Sequence, residues 1–220
     1  MVHKLTYKIV WLVIGYSCEL LGKDATNDTI RELIVDLGSS VMKSTVDAKH
    51  GVACIIRRVF SSAVGKEVDR SIYKSVLSTT QELMKDDSTL VRSAACAAVG
   101  AVLGSSTEIK TTMSLVEKSI LNKMDTKEAL EVQQSVANGL CITARLQHGL
   151  FRTKEALSLT NAALKLAMSG AQRVQFAYND FLWIALDVQS GNEGLEVSIC
   201  LKHHYKFHLM LSYSFLTCQF

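Results

Sequence analysis

The sequence predicts an all-α protein, a solenoid of stacked antiparallel helix pairs, and three observations lead to this prediction. The 220 residues include no proline and only 12 glycines, so the turns that an all-β sandwich or barrel needs at each hairpin are mostly missing. Apolar residues recur at helical spacing in successive segments, with no strand pattern between them. A short motif also returns at a nearly constant interval.

Nine segments carry the amphipathic helical pattern, as expected for consecutive helical hairpins. In chain order they cover residues 6–22, 27–43, 48–63, 67–85, 88–104, 107–123, 127–147, 152–168 and 171–188. The first contains an apolar run too short to span a bilayer, which takes ~20 residues, so we predict a core helix. Asp86 and Asp125 precede two segments as helix-start signals. Gly22 and Gly170 mark breaks, and Gly170 is expected to take a positive φ.

The best evidence for a repeat is the spacing of three valines. Val91, Val132 and Val174 are 41 and 42 residues apart, inside the ~40 to 47-residue period of HEAT and armadillo units. Asp86 lies six residues before Arg92, so we expect this acid in the turn to meet the base of the following helix. An ordinary amphipathic helix with a capping acid is the alternative.

The amino-acid composition limits the classes of protein to which the chain can belong. The chain is 48% hydrophobic, enough for a continuous core, and its 24 basic and 21 acidic residues give a formal charge of +3 without a long run of like charges. Strong attraction to nucleic acid is therefore not implied, although the possibility that basic residues gather on one face of the folded chain stays open. Several of the six cysteines, such as Cys96, lie in apolar helical stretches and predict buried, reduced thiols in the cytosol.

Motifs that carry chemistry are few, and we predict neither an enzyme nor a cofactor. The sequence holds no glycine-rich phosphate loop, G-x-S-x-G or H-E-x-x-H. His50 and His148 have no plausible nucleophile close by in sequence and are interpreted as helix-end or surface residues. One compact set of soft metal ligands occurs near the end of the chain: Cys200, His203, His204 and His208. We interpret it as chance clustering and predict no metal site.

Six basic residues form the candidate partner surface: Lys49, His50, Arg57, Arg58, Arg145 and Arg152. A basic ridge on a solenoid suits acidic protein, ribosomal RNA or phosphate, and a solvated face is the alternative. The aromatic residues of the last segment suggest either a peptide groove or, as we prefer, core between stacked helices: Phe176, Tyr178, Phe181 and Trp183.

Four stretches resemble, in the same order, the C-terminal HEAT region of the general-control translational activator, which activates the kinase of translation initiation factor 2. They run from Ile14 to Leu21, Lys49 to Gly51, Leu90 to Gly100 and Ala177 to Ala185, and the resemblance spans about residues 10 to 190. It implies a ribosome-associated scaffold that helps uncharged tRNA activate the kinase during amino-acid starvation. The kinase-contacting segment of that family precedes the region resembled here, and no binding residue carries over.

We therefore predict a HEAT-repeat array of four to five helix pairs in residues 1–190, and in 191–220 a non-repeat tail, aberrant or disordered. The predicted function is a cytosolic protein-binding scaffold and translational regulator, with the ribosome and a protein kinase as partners. Direct contact with nucleic acid stays open, and neither a membrane nor a small-molecule substrate is expected. The alternatives are an adaptor of another pathway, such as a transport receptor, phosphatase scaffold or tubulin-binding array, and, less favoured, a helical enzyme.

Overall fold

The computed structural model describes residues 2–36, 40, 42–147, 149–153 and 156–187, except for some side chains within these ranges. This part of the chain contains helices and no strand. Nine α-helices follow one another: α1 Val2–Leu21, α2 Lys23–Ile30, α3 Val46–Phe60, α4 Arg70–Leu83, α5 Thr89–Ser105, α6 Ile109–Lys123, α7 Leu130–Leu146, α8 Leu157–Ser169 and α9 Gln172–Asp187. The all-helical prediction is confirmed for these residues, and each predicted segment corresponds to one helix.

Short non-α turns extend or link the helices. A π-helical turn, Arg31–Asp36, continues α2, and 3-10 turns at Ala63–Glu67 and Leu150–Arg152 precede α4 and α8. The second helix starts at Lys23, earlier than the predicted residue 27, because the Thr26 hydroxyl donates to the carbonyl oxygens of Gly22 (2.7 Å) and Cys18 (3.0 Å). These bonds join the start of α2 to the end of α1.

The odd-numbered helices pack on one another in chain order. α1 contacts α3, α3 contacts α5, α5 contacts α7, and α7 contacts α9. The even-numbered helices lie against this row, with α4 on α5, α6 between α5 and α7, and α8 on α9. Each helix therefore contacts mainly helices near it in sequence.

The three valines of the sequence repeat lie in the core. Val91, Val132 and Val174 each have 0% of their surface exposed, near the starts of α5, α7 and α9. Tyr178 and Phe181 of α9 are also fully buried, whereas Phe176 remains 42% exposed. The core interpretation of the last segment is confirmed for two of its four aromatic residues, and the Trp183 side chain lies outside the described part.

One expectation about the ends of helices needs correction. Gly170 has φ −74°, so the expected positive φ is wrong. A Cβ there would lie 2.6 Å from the carbonyl oxygen of Leu166, which explains why a residue without a side chain suits this position. Gly22 takes the positive value instead, with φ 85°, and separates α1 from α2.

The prediction that the first segment is a core helix holds for one side of α1 only. Cys18 is buried, and Trp11 and Ile14 pack against the core. Val13 and Leu20 are 56% and 85% exposed. Within the described residues, no helix combines the length and the apolar character that a membrane crossing requires.

Candidate functional site

An ion pair joins α3 to the turn that precedes α5. Lys49 Nζ lies 2.7 Å from Asp86 Oδ2, and the two side chains are only 17% and 9% exposed. The other carboxylate oxygen of Asp86 accepts a hydrogen bond from the Ser88 N–H at 2.9 Å. Arg92 does reach this turn, but its Nη1 donates to the backbone carbonyl of Asp86 at 2.9 Å. Arg92 thus meets Asp86 as expected, but through the backbone carbonyl, while the carboxylate pairs with Lys49 of the preceding odd-numbered helix.

A similar junction occurs again further along the chain. Arg92 Nη2 of α5 lies 2.9 Å from Glu128 Oε1, in the turn before α7, and Lys123 Nζ lies 2.8 Å from Glu128 Oε2. Lys49 and Asp86 are 37 residues apart, and Arg92 and Glu128 are 36 apart. A base near the start of one odd-numbered helix thus holds the acid before the next.

The backbone contact also recurs, with a different side chain. Gln133 Nε2 of α7 donates to the carbonyl oxygen of Glu128 at 2.7 Å, as Arg92 donates to that of Asp86. An amide thus takes the place of the guanidinium in this backbone contact, in the same turn whose Glu128 carboxylate pairs with Arg92.

Both acids titrate below their ordinary range. Burial by itself raises the pKa of Glu128, but hydrogen bonds from Lys123, Arg92 and the Ala129 N–H outweigh it and lower the pKa to about 2. Burial also opposes ionisation of Asp86, and the bonds from Lys49 and the Ser88 N–H still lower its pKa. Each carboxylate is therefore held in its charged form by the helices that it joins.

A cleft of about 160 Å³ opens where α3, α5 and α7 meet. His50, Cys54 and Arg57 form its α3 side. On the opposite side, the Ser93 hydroxyl of α5 and the Ser135 hydroxyl of α7 lie 2.5 Å apart and share a hydrogen bond. The cleft therefore gathers a thiol, an imidazole, a guanidinium and two hydroxyls.

The histidine and the cysteine of this cleft face each other. Cys54 Sγ lies 3.6 Å from His50 Nε2 and 4.0 Å from its Nδ1. The sequence interpretation of His50 as a residue without a nearby nucleophile is thus wrong. The spacing of four residues between His50 and Cys54 could have revealed this pair, because residues four apart in a helix lie on the same face.

The six predicted surface residues do not share one environment. His50 and Arg57 border the cleft, whereas Lys49 is engaged with Asp86. Arg58 pairs with Glu19 and lies over the Tyr16 ring, 4.1 Å from its centroid, which ties α3 to α1. Arg145 is exposed on α7, and Arg152 ends a 3-10 turn with its side chain outside the described part. That the six residues bind a partner stays a prediction.

Cys96 of α5 is buried, and Cys141 of α7 is partly buried. Burial raises the pKa of the Cys96 thiol to about 12, and burial together with the nearby Asp180 raises that of Cys141 to about 11. The prediction that Cys96 is buried is confirmed, with 1% of its surface exposed. In the described part of the chain no group of three or more metal-binding side chains occurs, and the residue 200–208 cluster lies outside it.

A second cleft lies between α4 and the start of α6. Lys66, Arg70 and Lys74 border it, and Arg70 pairs with Glu108 at 2.6 Å. Tyr73 forms part of its wall and donates to the carbonyl oxygen of Val102 at 2.8 Å. Its basic side is thus partly neutralised by an acid of the same cleft.

Comparison with protein-family models, with curated proteins and with solved structures found no significant match. Function is therefore inferred from the recurring junction and from the chemistry of the α3–α5–α7 cleft.

Proposed function

We propose that the chain is a HEAT-type helical-repeat scaffold that binds another macromolecule. The recurrence of the junction supports this proposal most directly. The ion pair of Lys49 with Asp86 has a counterpart in the pair of Arg92 with Glu128. The second base lies 43 residues after the first, and the second acid lies 42 residues after the first. The three anchoring valines follow a similar spacing. A contact that returns with the repeat period is what a stack of equivalent helix pairs requires.

A scaffold of this type binds through surface residues that the stack holds in place. The described odd-numbered helices follow one another in a row, so their outward positions form a continuous face. Arg57 of α3 and Arg145 of α7 are exposed on these helices. Their charge favours an acidic segment of a protein or a phosphate-rich surface such as that of a ribosome.

The particular role that we propose is ribosome-associated translational control in the cytosol. The resemblance of four stretches to the general-control translational activator supports this role. The ribosome is the partner to test first, because its phosphate surface attracts exposed guanidinium groups and that attraction weakens with salt.

The test is sedimentation of the tagged chain with ribosomes from its native cells, with and without amino-acid starvation and at several salt concentrations. We expect co-sedimentation that salt reverses. The double variant Arg57→Glu and Arg145→Glu should lose most of the bound fraction. The double variant Lys74→Glu and Lys118→Glu, at exposed positions of α4 and α6, is the control, because it changes the net charge by the same amount on helices outside the odd-numbered row.

The outcomes separate the general proposal from the particular one. No co-sedimentation under any condition would contradict the ribosomal role. Equal losses in the two charge-reversed proteins would show that net charge, and not the face of the odd-numbered helices, attaches the chain. Binding insensitive to salt and to both sets of substitutions would contradict a basic docking face.

A further inference from the structure

Four cysteines are described, and Cys54 alone lines a described cleft. Cys18 and Cys96 are 2% and 1% exposed, so reagents in solution reach them only when the protein opens. Cys141 is partly exposed, but its raised pKa leaves little thiolate at neutral pH. Cys54 is partly exposed and faces a cavity.

The cleft supplies a proton acceptor for the thiol. His50 Nε2, one helical turn before Cys54, lies 3.6 Å from Sγ, within hydrogen-bonding reach for sulfur. A thiolate next to an imidazolium is stabilised relative to the neutral thiol. The imidazole can thus take the proton from sulfur and remain beside the charge that it creates.

The other polar groups of the cleft favour an anionic reagent. Arg57, three residues after Cys54, contributes a guanidinium at the same wall. The Ser93 and Ser135 hydroxyls face this wall from α5 and α7. The ionisable groups that border the cleft all belong to α3, and α5 and α7 contribute hydroxyl and apolar side chains. A carboxylate would find the guanidinium of Arg57 there.

We propose that Cys54 is a site of reversible modification that forms a mixed disulfide with an anionic low-molecular-weight disulfide. His50 takes the thiol proton, and the Cys54 thiolate attacks one sulfur of the reagent. The Cys54 S–S bond forms as the reagent S–S bond breaks, and the leaving thiolate takes the proton from His50 and departs as a thiol. Cys54 and one sulfur of the reagent are joined while the other sulfur is reduced, so no further oxidant is needed.

The expected gain in rate is moderate. The imidazolium favours the thiolate, and the lower intrinsic nucleophilicity of a stabilised thiolate offsets part of that advantage, so we expect a net rise in rate of about threefold at neutral pH. Attraction of a carboxylate by Arg57 adds to this gain only when the reagent is charged.

The experiment treats the folded full chain with glutathione disulfide and, separately, with neutral 2-hydroxyethyl disulfide, from pH 5.5 to 9. Peptide mass spectrometry measures modification at each cysteine separately. We expect Cys54 to react faster than Cys18, Cys96 and Cys141 with both reagents. It should also react faster in the native chain than in the same chain denatured in urea.

Two variants test the roles of the neighbours, with circular dichroism to verify folding. His50→Asn should slow modification of Cys54 about threefold at pH 7 with both reagents and leave a rate that rises only toward alkaline pH. Arg57→Gln should slow the reaction with glutathione disulfide and leave that with the neutral disulfide unchanged.

The proposal is overturned if Cys54 reacts in the native chain no faster than in the denatured chain, or if His50→Asn leaves the pH profile unchanged. An equal effect of Arg57→Gln on the two disulfides would overturn the anionic specificity. None of these readouts involves ribosomes, so failure here is distinct from failure of the scaffold proposal.

Discussion

Gly100 of α5 and Gly139 of α7 meet backbone to backbone. A Cβ on Gly100 would lie 2.2 Å from the carbonyl oxygen of Gly139, and one on Gly139 would lie 2.6 Å from that of Cys96. The Thr143 hydroxyl of α7 donates to the carbonyl oxygen of Gly100 at 2.7 Å. Two neighbouring helices of the row therefore approach each other more closely than residues with side chains allow.

We expect Gly100→Ala to lower the free energy of unfolding by about 3 kcal/mol, because α5 and α7 must separate to admit the methyl group. The intrinsic gain in helix propensity, about 1 kcal/mol, only partly offsets this cost. Urea unfolding followed by circular dichroism measures the change. Gly149→Ala is the control, since nothing lies within 4 Å of a Cβ there and φ is −89°. Equal midpoints for the two variants would contradict the close approach.

Protonation of Glu128 should destabilise the fold in acid. Its pKa of about 2 in the folded chain is below the ordinary 4.5, so the stabilisation is complete above about pH 4.5 and is lost as pH falls toward 2. The full effect is about 3 kcal/mol. We expect Glu128→Gln to be less stable than the wild type at pH 7 and to approach it near pH 2, as measured by urea midpoints. Glu82→Gln, in an exposed pair with Lys85, should track the wild type throughout.

Lys49→Met should destabilise the chain by about 3 kcal/mol, because it leaves the Asp86 carboxylate unpaired with only 9% of its side chain exposed. Lys85→Met removes an exposed pair with Glu82 and should cost less than about 0.5 kcal/mol. Thermal unfolding compares the two variants. The double variant Lys49→Met and Asp86→Asn should regain part of the lost stability. Its asparagine carries no charge and still accepts the hydrogen bond from the Ser88 N–H. No recovery would mean that the cost arises elsewhere.

Tyr178→Phe should leave stability unchanged or raise it by about 1 kcal/mol. The hydroxyl is fully buried and has no hydrogen-bond partner within the described residues, and burial raises its pKa. Tyr73→Phe is the matched control and should cost about 1 kcal/mol, because it removes the bond to the Val102 carbonyl. Differential scanning calorimetry of both variants checks the contrast. A large loss in Tyr178→Phe would show that the hydroxyl has a partner.

The positions of the helices were predictable because their signals are local. The segment predicted at residues 88–104 is Thr89–Ser105 in the structure, and that predicted at 171–188 is Gln172–Asp187. Apolar spacing indicates which residues form a helix, an acid marks where one starts, and a glycine marks where one stops. The π-helical turn at Arg31–Asp36 was missed, since no simple periodicity announces a single widened turn.

The candidate site was predictable only in part. The basic character of Lys49, His50, Arg57 and Arg58 was visible in the sequence, but not which of them pair with acids. Cys54 was overlooked beside His50 even though the spacing of four residues placed both on one face of a helix. The four predicted residues of α3 also occupy different surroundings, because residues close in sequence point to different sides of the same helix.

The sequence by itself determined the helical class, the approximate positions of the helices along the chain, and the burial of Val91, Val132 and Val174. Only the tertiary structure decided that Asp86 pairs with Lys49 and that Gly100 lies against Gly139. Helix formation depends on interactions within a few residues, and one chain segment contains them all. The choice among several possible charged partners depends on how two helices rotate and slide against each other, which the packing of whole surfaces determines.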